Sequence, residues 1–237
     1  MSIPNLKKIY PYKTELHAHT NPISPCAKLK ANTVTEIHAA SGVHSLVIAN
    51  HLGPKQYNGR SEAELCRDFL ADYESAVRAA EGLDIDVIFA AEIHFLNTNN
   101  DYLVFGICPD DIERLVSYVP KDIKTFYTEF KNDKNLIIHA HPFRDKMDEI
   151  PYGYVDGLEV FNFHVAHNPR VATVARVARE RDLLVTGGSD FHDPGKQSLC
   201  LMRTTERLRD SYDVARAIKS RDVIFDTFGN LIVPYQT

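Results

Sequence analysis

Short apolar runs alternate with longer amphipathic stretches along most of the chain. Several runs are continuously apolar, such as SLVIAN at 45–50, DVIFAAE at 86–92 and NLIIHA at 135–140. Continuous apolar runs are typical of strands that are buried on both faces of a parallel sheet. The pattern predicts strands at 13–17, 45–50, 86–92, 102–107, 136–140, 157–161, 183–186 and 223–225.

The amphipathic stretches between these runs predict helices. Capping boxes, Thr33-x-x-Glu36 and Ser61-x-x-Glu64, open two of them, and Pro169 suits the first turn of another. The longest helix is predicted at 61–81, with further helices at 110–118, 121–132, 169–181 and 210–219. Strand and helix alternate about seven times, which is typical of a parallel α/β fold.

Two architectures compete for this alternation, a closed barrel and an open doubly wound sheet. No glycine-rich loop follows the first strand, which argues against a dinucleotide-binding fold. Polar residues end nearly every strand instead, and catalytic groups of barrels lie at that rim. We therefore expect a TIM-like barrel, with residues 1–237 forming a single domain, since one barrel commonly spans about 200–250 residues.

Composition narrows the partners and the compartment. The hydrophobic content of 44% is typical of a soluble globular protein, and the net charge of −5 argues against bulk electrostatic binding of nucleic acid. Residues 1–12 lack an apolar segment, and no apolar run approaches a membrane span. Four cysteines without C-x-x-C spacing fit a reducing compartment. We expect a cytoplasmic protein without a membrane partner, while its oligomeric state stays open.

Two short motifs carry the first sign of chemistry. His17 and His19 are two positions apart near the start, and Asp190 and His192 repeat that spacing far downstream. Residues i and i+2 of an extended segment project to the same side, so each motif aims two ligating groups at one point. Other strand ends supply further groups, namely His51, Glu92, His94, His139, His141, Glu159, Asn162, His164 and His167.

This recurrence predicts a metal centre. A lone histidine at a strand end is usually a packing or surface residue, and we interpret His38 and His44 in that way. Histidine and carboxylate ligands at successive strand ends instead suit Zn²⁺, Mn²⁺ or Fe²⁺. Glu92 is the best candidate for a carboxylate that bridges two ions. Paired ions of this kind activate a water, so the sequence predicts a hydrolase.

Several other residues are candidates for contact with the substrate. Arg144 follows His141-Pro-Phe and could clamp a phosphate through two hydrogen bonds, and Lys196 is a weaker candidate. The alternatives stay open for a further set, which either binds substrate, joins the metals or only supports the ligands: His94, His139, His164 and Cys26. For His139 we expect a position one layer deeper than His141, where it orients a ligand or a water.

Six segments in this order resemble the PHP family, named for polymerase and histidinol phosphatase. They are ELHAHT (15–20), VIANH (47–51), AAEIHF (90–95), IIHAHPFR (137–144), LEVFN (158–162) and GGSDFH (187–192). The resemblance implies a distorted (β/α)7 barrel with two or three divalent ions at its rim. It also implies this ligand set: His17, His19, Glu92 and Asp190 for one ion, Glu92 and His141 for a second, and His51 and His192 for a third, or for the phosphate if that ion is absent.

The sequence departs from the family pattern at three places. A histidine expected shortly after the first motif is missing, so Ser24 or Cys26 serves there or the ligand is lost. No histidine follows Glu92 within 103–107, and Asn50 replaces the usual aspartate before His51. Two ions are therefore the safer expectation, with a third weakly held.

The leading hypothesis is a phosphoesterase that hydrolyses a small phosphorylated metabolite or nucleotide, with a phosphomonoester favoured. Arg144 and His51 would neutralise the phosphate oxygens, and His192 would donate a proton to the leaving oxygen. An alternative is an amidohydrolase that cleaves a C–N or C–O bond, although no lysine lies in the fourth strand. A third is a non-catalytic PHP-like module that supports a partner protein.

Overall fold

The structure is a computed structural model that describes residues 3–164 and 166–235, and it has a mixed α/β fold. The helices are α1 (Ile3–Ile9), α2 (Ala31–Ala40), α3 (Pro54–Tyr57), α4 (Glu62–Ala79), α5 (Ile112–Tyr118), α6 (Ile123–Phe130), α7 (Val171–Glu180) and α8 (Ser211–Ser220). The strands are β1 (Tyr12–Ala18), β2 (Ser45–Ile48), β3 (His51–Leu52), β4 (Asp86–Phe89), β5 (Ala91–His94), β6 (Asp101–Phe105), β7 (Leu136–His139), β8 (Gly157–Asn162), β9 (Leu184–Gly188), β10 (Cys200–Thr204), β11 (Ile224–Thr227) and β12 (Asn230–Ile232). Among these residues, no helix combines the length and the apolar character that crossing a bilayer requires.

The strands form two six-stranded sheets, and both of them are mixed. The first sheet has the order β12-β11-β10-β1-β2-β4, in which β1, β2 and β4 are parallel. The second has the order β3-β5-β6-β7-β8-β9, in which β5, β6 and β7 are antiparallel neighbours. The α/β class is confirmed, whereas a closed barrel is not.

The expectation of a wholly parallel arrangement is wrong. Only residues 95–100 connect β5 to β6, and a loop of this length cannot hold the crossover that parallel neighbours need. The two strands therefore pair as a hairpin, with His94 opposite Asp101. Because β6 runs the other way, its first residue lies at the same rim as the last residues of its neighbours.

One of the two predicted capping boxes is present, and two strands were not predicted. Ser61 caps α4 in a reciprocal capping box with Glu64, as predicted. The box predicted at Thr33 is absent, because α2 already begins at Ala31 and Lys30 precedes it without a side-chain cap. Strands β10 and β12 escaped prediction. Both pair antiparallel with β11 at one end of the first sheet.

One junction brings the two distant metal motifs together. The backbone N–H of His19 donates to the Phe191 carbonyl at 3.0 Å, and the Phe191 N–H donates to the His17 carbonyl at 3.0 Å. Gly188 lies so close to β1 that a Cβ atom there would be 2.5 Å from the Cβ of His17. Only glycine leaves room for this approach, which places Asp190 against the first strand.

Candidate metal centre

The Glu92 carboxylate lies at the middle of a ring of histidines and is fully buried. Its Oε1 is 2.8 Å from His141 Nε2 and 3.3 Å from His17 Nε2. Its Oε2 is 2.6 Å from His51 Nδ1 and 3.4 Å from His19 Nε2. Four imidazoles thus share one carboxylate, as expected for the predicted bridging residue.

Asp190 closes the ring from the opposite side. Its Oδ1 is 3.3 Å from His19 Nε2, 3.6 Å from His17 Nε2 and 3.3 Å from His192 Nδ1. Its Oδ2 accepts a hydrogen bond from Arg144. The structure therefore brings together all seven residues predicted as metal ligands, which are His17, His19, His51, Glu92, His141, Asp190 and His192.

A second set of polar groups fixes how the histidines face. His17 Nδ1 donates to Glu159 Oε1 at 2.9 Å, which leaves its Nε2 for the centre. His19 Nδ1 lies 3.2 Å from Ser24 Oγ, with the same effect. The other oxygen of Glu159 accepts from the backbone N–H of His141 at 3.0 Å. Partners of this kind orient metal-binding imidazoles in proteins.

Unsatisfied atoms at the centre fit a divalent ion. Nε2 of His17 and Nε2 of His19 are buried without a hydrogen-bond partner among the described residues. Buried polar atoms are rarely left in this state, and a bound cation would satisfy both. Ligand atoms within 4.8 Å of one another form three groups, which are His17–His19–Glu92, Glu92–Asp101–His141 and His19–His51–His192.

Charge at the centre is organised around the carboxylates. Burial raises the pKa of Glu92, but the positive charges of His17 and His51 outweigh it and hold the pKa well below its usual value. Burial lowers the pKa of His17, yet the carboxylates of Glu159 and Asp190 raise it well above normal. In the protein without metal, imidazolium groups thus stand where cations are expected.

Asp101 is a member of the second group that sequence reasoning missed. Its Oδ2 is 3.8 Å from His141 Nε2, and its Oδ1 accepts from His94 Nδ1 at 2.7 Å. The family pattern predicted a histidine at 103–107, towards the far end of β6. The useful signal was a carboxylate at the start of a strand that runs antiparallel to the strand of Glu92.

The third group carries a thiol at its edge. The ring centroids of His51 and His192 lie 4.2 and 4.4 Å from that of His19. Burial and the charge on His51 lower the pKa of His19. Burial raises the pKa of Cys26, but hydrogen bonds with His192 and His51 outweigh it and bring the pKa to about 6. Cys26 thus lies where the PHP-like pattern lacks its histidine.

Arg144 lies at the centre but is already bonded there. Its guanidinium donates to Asn162 Oδ1 at 2.5 Å and to Asp190, and its buried Nε has no partner in the described chain. The predicted phosphate clamp is therefore adjacent to the ligands, and its remaining N–H groups are those available to an anion.

The other residues predicted to bind substrate separate into two groups. His164 is half-buried with its ring 5.1 Å from that of His192, and burial lowers its pKa to about 4. It lines a small cavity together with the exposed Lys196. His94 is half-buried and lines a different cavity on the side of His51.

His139 does not fit its predicted contact with substrate. The ring is fully buried, packs 5.2 Å from the Tyr102 ring and has no hydrogen-bond partner among the described residues at either nitrogen. Burial and the nearby His141 lower its pKa to about 3. The ring lines neither of the two cavities that His94 and His164 line, and it forms no hydrogen bond with a described ligand residue, so His139 lies one layer below His141 without the orienting contact that was expected.

Solved structures share this fold. A two-domain protein of Bacteroides vulgatus ATCC 8482, described as containing a predicted PHP-like metal-dependent phosphoesterase, matches with a TM-score of 0.67 and 16% identity over 91% of this chain and 64% of that one. PsfC from Pseudomonas syringae PB-5123 matches with a TM-score of 0.65 and 14% identity over 91% of each chain. A protein of Bifidobacterium adolescentis ATCC 15703, provisionally described as a metal-dependent phosphoesterase, gives 0.55 and 17% over 87% of this chain and 95% of that one.

The structural matches confirm the PHP-like fold that the sequence motifs predicted. This chain spans 64% of the length of the Bacteroides protein, so it corresponds to part of that two-domain molecule. No protein-family model and no curated protein matches the sequence.

Proposed function

We propose that this protein is a metal-dependent phosphoesterase that hydrolyses a small phosphorylated substrate, with a phosphomonoester as the preferred class. The observation that carries the proposal is that four histidines share the Glu92 carboxylate. Beside them, Arg144 donates a hydrogen bond to the neighbouring carboxylate of Asp190. A cluster of cation ligands beside a guanidinium suits a phosphate group, which needs charge neutralised on several oxygens at once.

The donor set is that of two or three Zn²⁺, Mn²⁺ or Fe²⁺ ions, because imidazole nitrogens and carboxylate oxygens predominate. His17, His19, Glu92 and Asp190 would hold one ion, and Glu92, His141 and Asp101 a second. His51 and His192, with His19 nearby, would hold a weaker third. Such ions lower the pKa of a water towards neutrality and polarise phosphate oxygens.

The remaining work falls to side chains of this chain. Arg144 binds and orients the phosphate through N–H groups that Asn162 and Asp190 leave free. Burial lowers the pKa of His192, but hydrogen bonding to Cys26 and the charge of Asp190 raise it above normal. Where no third ion is bound, His192 is free of metal and would donate a proton to the leaving oxygen. His51 assists in neutralising the phosphate.

The proposal also takes the two sheets as parts of one distorted, seven-stranded, TIM-like barrel. Three contacts support this. An isolated bridge joins Ala18 to Phe191, next to the end of β9. The N–H of Ala49 donates to the Ala18 carbonyl, and the N–H of Ala90 donates to the Ile48 carbonyl. The ladder of β2 therefore continues towards β3, and that of β4 continues towards β5. For location, we propose the cytoplasm, on the cysteine usage seen in the sequence.

The first test combines metal analysis with hydrolysis. Purified protein reconstituted with Mn²⁺ or Zn²⁺ should cleave p-nitrophenyl phosphate, and His17→Ala and Asp190→Ala should each abolish turnover and lower the metal content. His44→Ala serves as the control, because His44 packs edge-on against Tyr12 away from the cluster. Near-normal turnover in either ligand variant would refute the assignment.

The rival functions are separated by the same preparation. An amidohydrolase would cleave a panel of lactones and amides while leaving phosphate esters intact, and a partner module would hold no metal after metal-replete purification. Strand β6 contains no lysine to carry a carbamate, and His164 lies beside His192 rather than beside Glu92. We therefore rank phosphoester hydrolysis first.

A further inference from the structure

A cavity of about 680 Å³ opens next to the metal centre. Its inner end is lined by His51 and Asp101, each of which belongs to one of the ligand groups. Its outer part is lined by residues of α3 and of the loop after β7, including Gln56, Lys55 and Lys146. A phosphate held at the centre would have this space beside it for the remainder of its molecule.

Gln56 is the most informative residue of this cavity. Only 6% of the residue is exposed, and its side chain forms no hydrogen bond with another described residue. Its backbone carbonyl accepts a hydrogen bond from Arg60. Its side-chain amide atoms are not among the enclosed side-chain atoms that lack a partner in the described residues, so solvent in the cavity reaches them, and their two donors and one acceptor remain available to a ligand. The cavity therefore has an unused recognition group close to the centre.

The backbone holds Gln56 in place. It lies on α3, directly after the metal-centre strand β3, and its N–H donates to the Gly53 carbonyl at 3.0 Å. A Cβ atom at Gly53 would be 2.8 Å from the Cβ of His94 and 3.4 Å from Gln56 Oε1. The turn is thus packed tightly between the metal centre and the amide.

The mouth of the cavity is cationic. Lys55 on α3 and Lys146 on the loop after β7 are both exposed, and neither forms an ion pair within the described part of the chain. The carboxylate of Asp145, at the same mouth, already pairs with Arg170 at 2.8 Å. Two free ammonium groups therefore face a space that begins at a phosphate site.

We propose that this cavity binds the leaving group of the substrate and selects a phosphoester that carries a second acidic group. Gln56 recognises a hydroxyl or amide near the ester oxygen, and Lys55 and Lys146 bind the distal carboxylate or phosphate. This inference rests on the proposed phosphoesterase function, and it adds the class of substrate and the residues that choose it.

Matched probes test the inference. Glycerol 3-phosphate has no second acid, 3-phosphoglycerate adds a carboxylate to nearly the same skeleton, and glycerol 1,3-bisphosphate adds a phosphate. We expect higher kcat/KM for one or both acidic probes, and the better of the two identifies the distal group. Lys55→Ala and Lys146→Ala should each reduce that preference about three- to fivefold, mainly through KM, and added salt should reduce it in the wild type.

Gln56 has its own pair of variants. Gln56→Ala should raise KM for the acidic probes about tenfold, and Gln56→Glu should raise it further because it adds a negative charge beside the leaving group. Lys124→Ala is the control, since Lys124 is an exposed lysine on α6 that does not line the cavity. Circular dichroism of each variant excludes loss of fold as the cause.

The outcomes distinguish this inference from the function beneath it. If the wild type cleaves p-nitrophenyl phosphate but prefers neither acidic probe, or if the lysine variants keep the preference of Lys124→Ala, the leaving-group pocket is refuted while the phosphoesterase stands. If no phosphate ester is cleaved by the metal-loaded protein, the function itself is refuted.

Discussion

Two layers of the interior contain the same residue types but favour different protonation states of them. The upper layer is the metal centre, represented by Glu92 and His17. The layer beneath it, two residues earlier on the strands, holds Glu15 and His139. All four side chains are fully buried. Burial alone therefore does not decide which of these groups is ionised.

Counter-charges make the difference. Glu92 faces imidazolium groups that hold its pKa low, whereas burial raises the pKa of Glu15 to about 7. His17 faces carboxylates that raise its pKa, whereas burial lowers the pKa of His139 to about 3. The upper layer is a mutually charged cluster suited to cations, and the lower layer is a less charged platform, with a neutral His139 and a Glu15 carboxyl whose pKa is about 7.

The platform has a clear mechanical role. Glu15 Oε1 accepts from the backbone N–H groups of His17 at 3.1 Å and Ser189 at 2.9 Å, which ties β1 to the segment leading to Asp190. Its other oxygen has no partner among the described residues. One buried glutamate thus positions the ligands, and the other is available to bind the ions.

The largest expected effect separates these two glutamates. Glu92→Gln removes the shared charge, so metal affinity and phosphatase activity should fall by more than about a hundredfold, the upper end for residues that only orient a ligand. Glu15→Gln should retain the metal stoichiometry, because a neutral amide oxygen still accepts the two backbone bonds. Metal content by mass spectrometry together with kcat/KM checks both, and equal loss in the two variants would remove the distinction between the layers.

An intermediate effect is expected at Glu159, which lies behind the ligands His17 and His141. Glu159→Gln keeps an acceptor for His17 Nδ1 but removes the charge that raises the pKa of His17. Metal affinity should fall roughly ten- to hundredfold, as for other residues behind a ligand, while the far-ultraviolet spectrum stays unchanged. Titration with a chelator measures this. Wild-type affinity in the variant would show that the carboxylate charge is unnecessary.

The last effect does not involve the metals and concerns the acid stability of the metal-free protein. His139 is neutral when folded, with its pKa lowered to about 3, whereas the unfolded chain takes up a proton near pH 6.5. The unfolded state therefore binds more protons between these values, and stability must fall as pH falls through this window. In His139→Phe, the slope of unfolding free energy against pH should be smaller by about 1.4 kcal/mol per unit. Urea unfolding at several pH values measures it, and parallel slopes would contradict the assignment.

The sequence predicted which residues lie together at the centre better than it predicted the sheet architecture around them. The two-residue spacing at His17 and at Asp190 fixed the direction of side chains, and the structure places these groups together. Asp101 was missed because the strand direction that brings it to the rim depends on a short hairpin loop, which apolar periodicity does not report.

The burial of individual side chains and their hydrogen-bond partners could not be predicted from the sequence either. The pattern put His139 and His141 on one side of a strand, but which of them is sealed from solvent depends on packing against Tyr102. Arg144 was found as a candidate clamp, yet its bonds to Asp190 and Asn162 come from segments distant in the chain. Nothing in the sequence singled out Gln56, because the absence of hydrogen-bond partners for its side chain depends on the three-dimensional structure.

The close approach at Gly188 has a consequence for how such proteins vary. This residue offers no ligand, proton or charge, yet a single methyl group there would push β1 away from the segment that carries Asp190. In a library of all single substitutions, position 188 should therefore be as intolerant as the histidines themselves. Substitutions there would act by displacing β1 from the segment that carries Asp190, and a search for functional side chains alone would overlook the position.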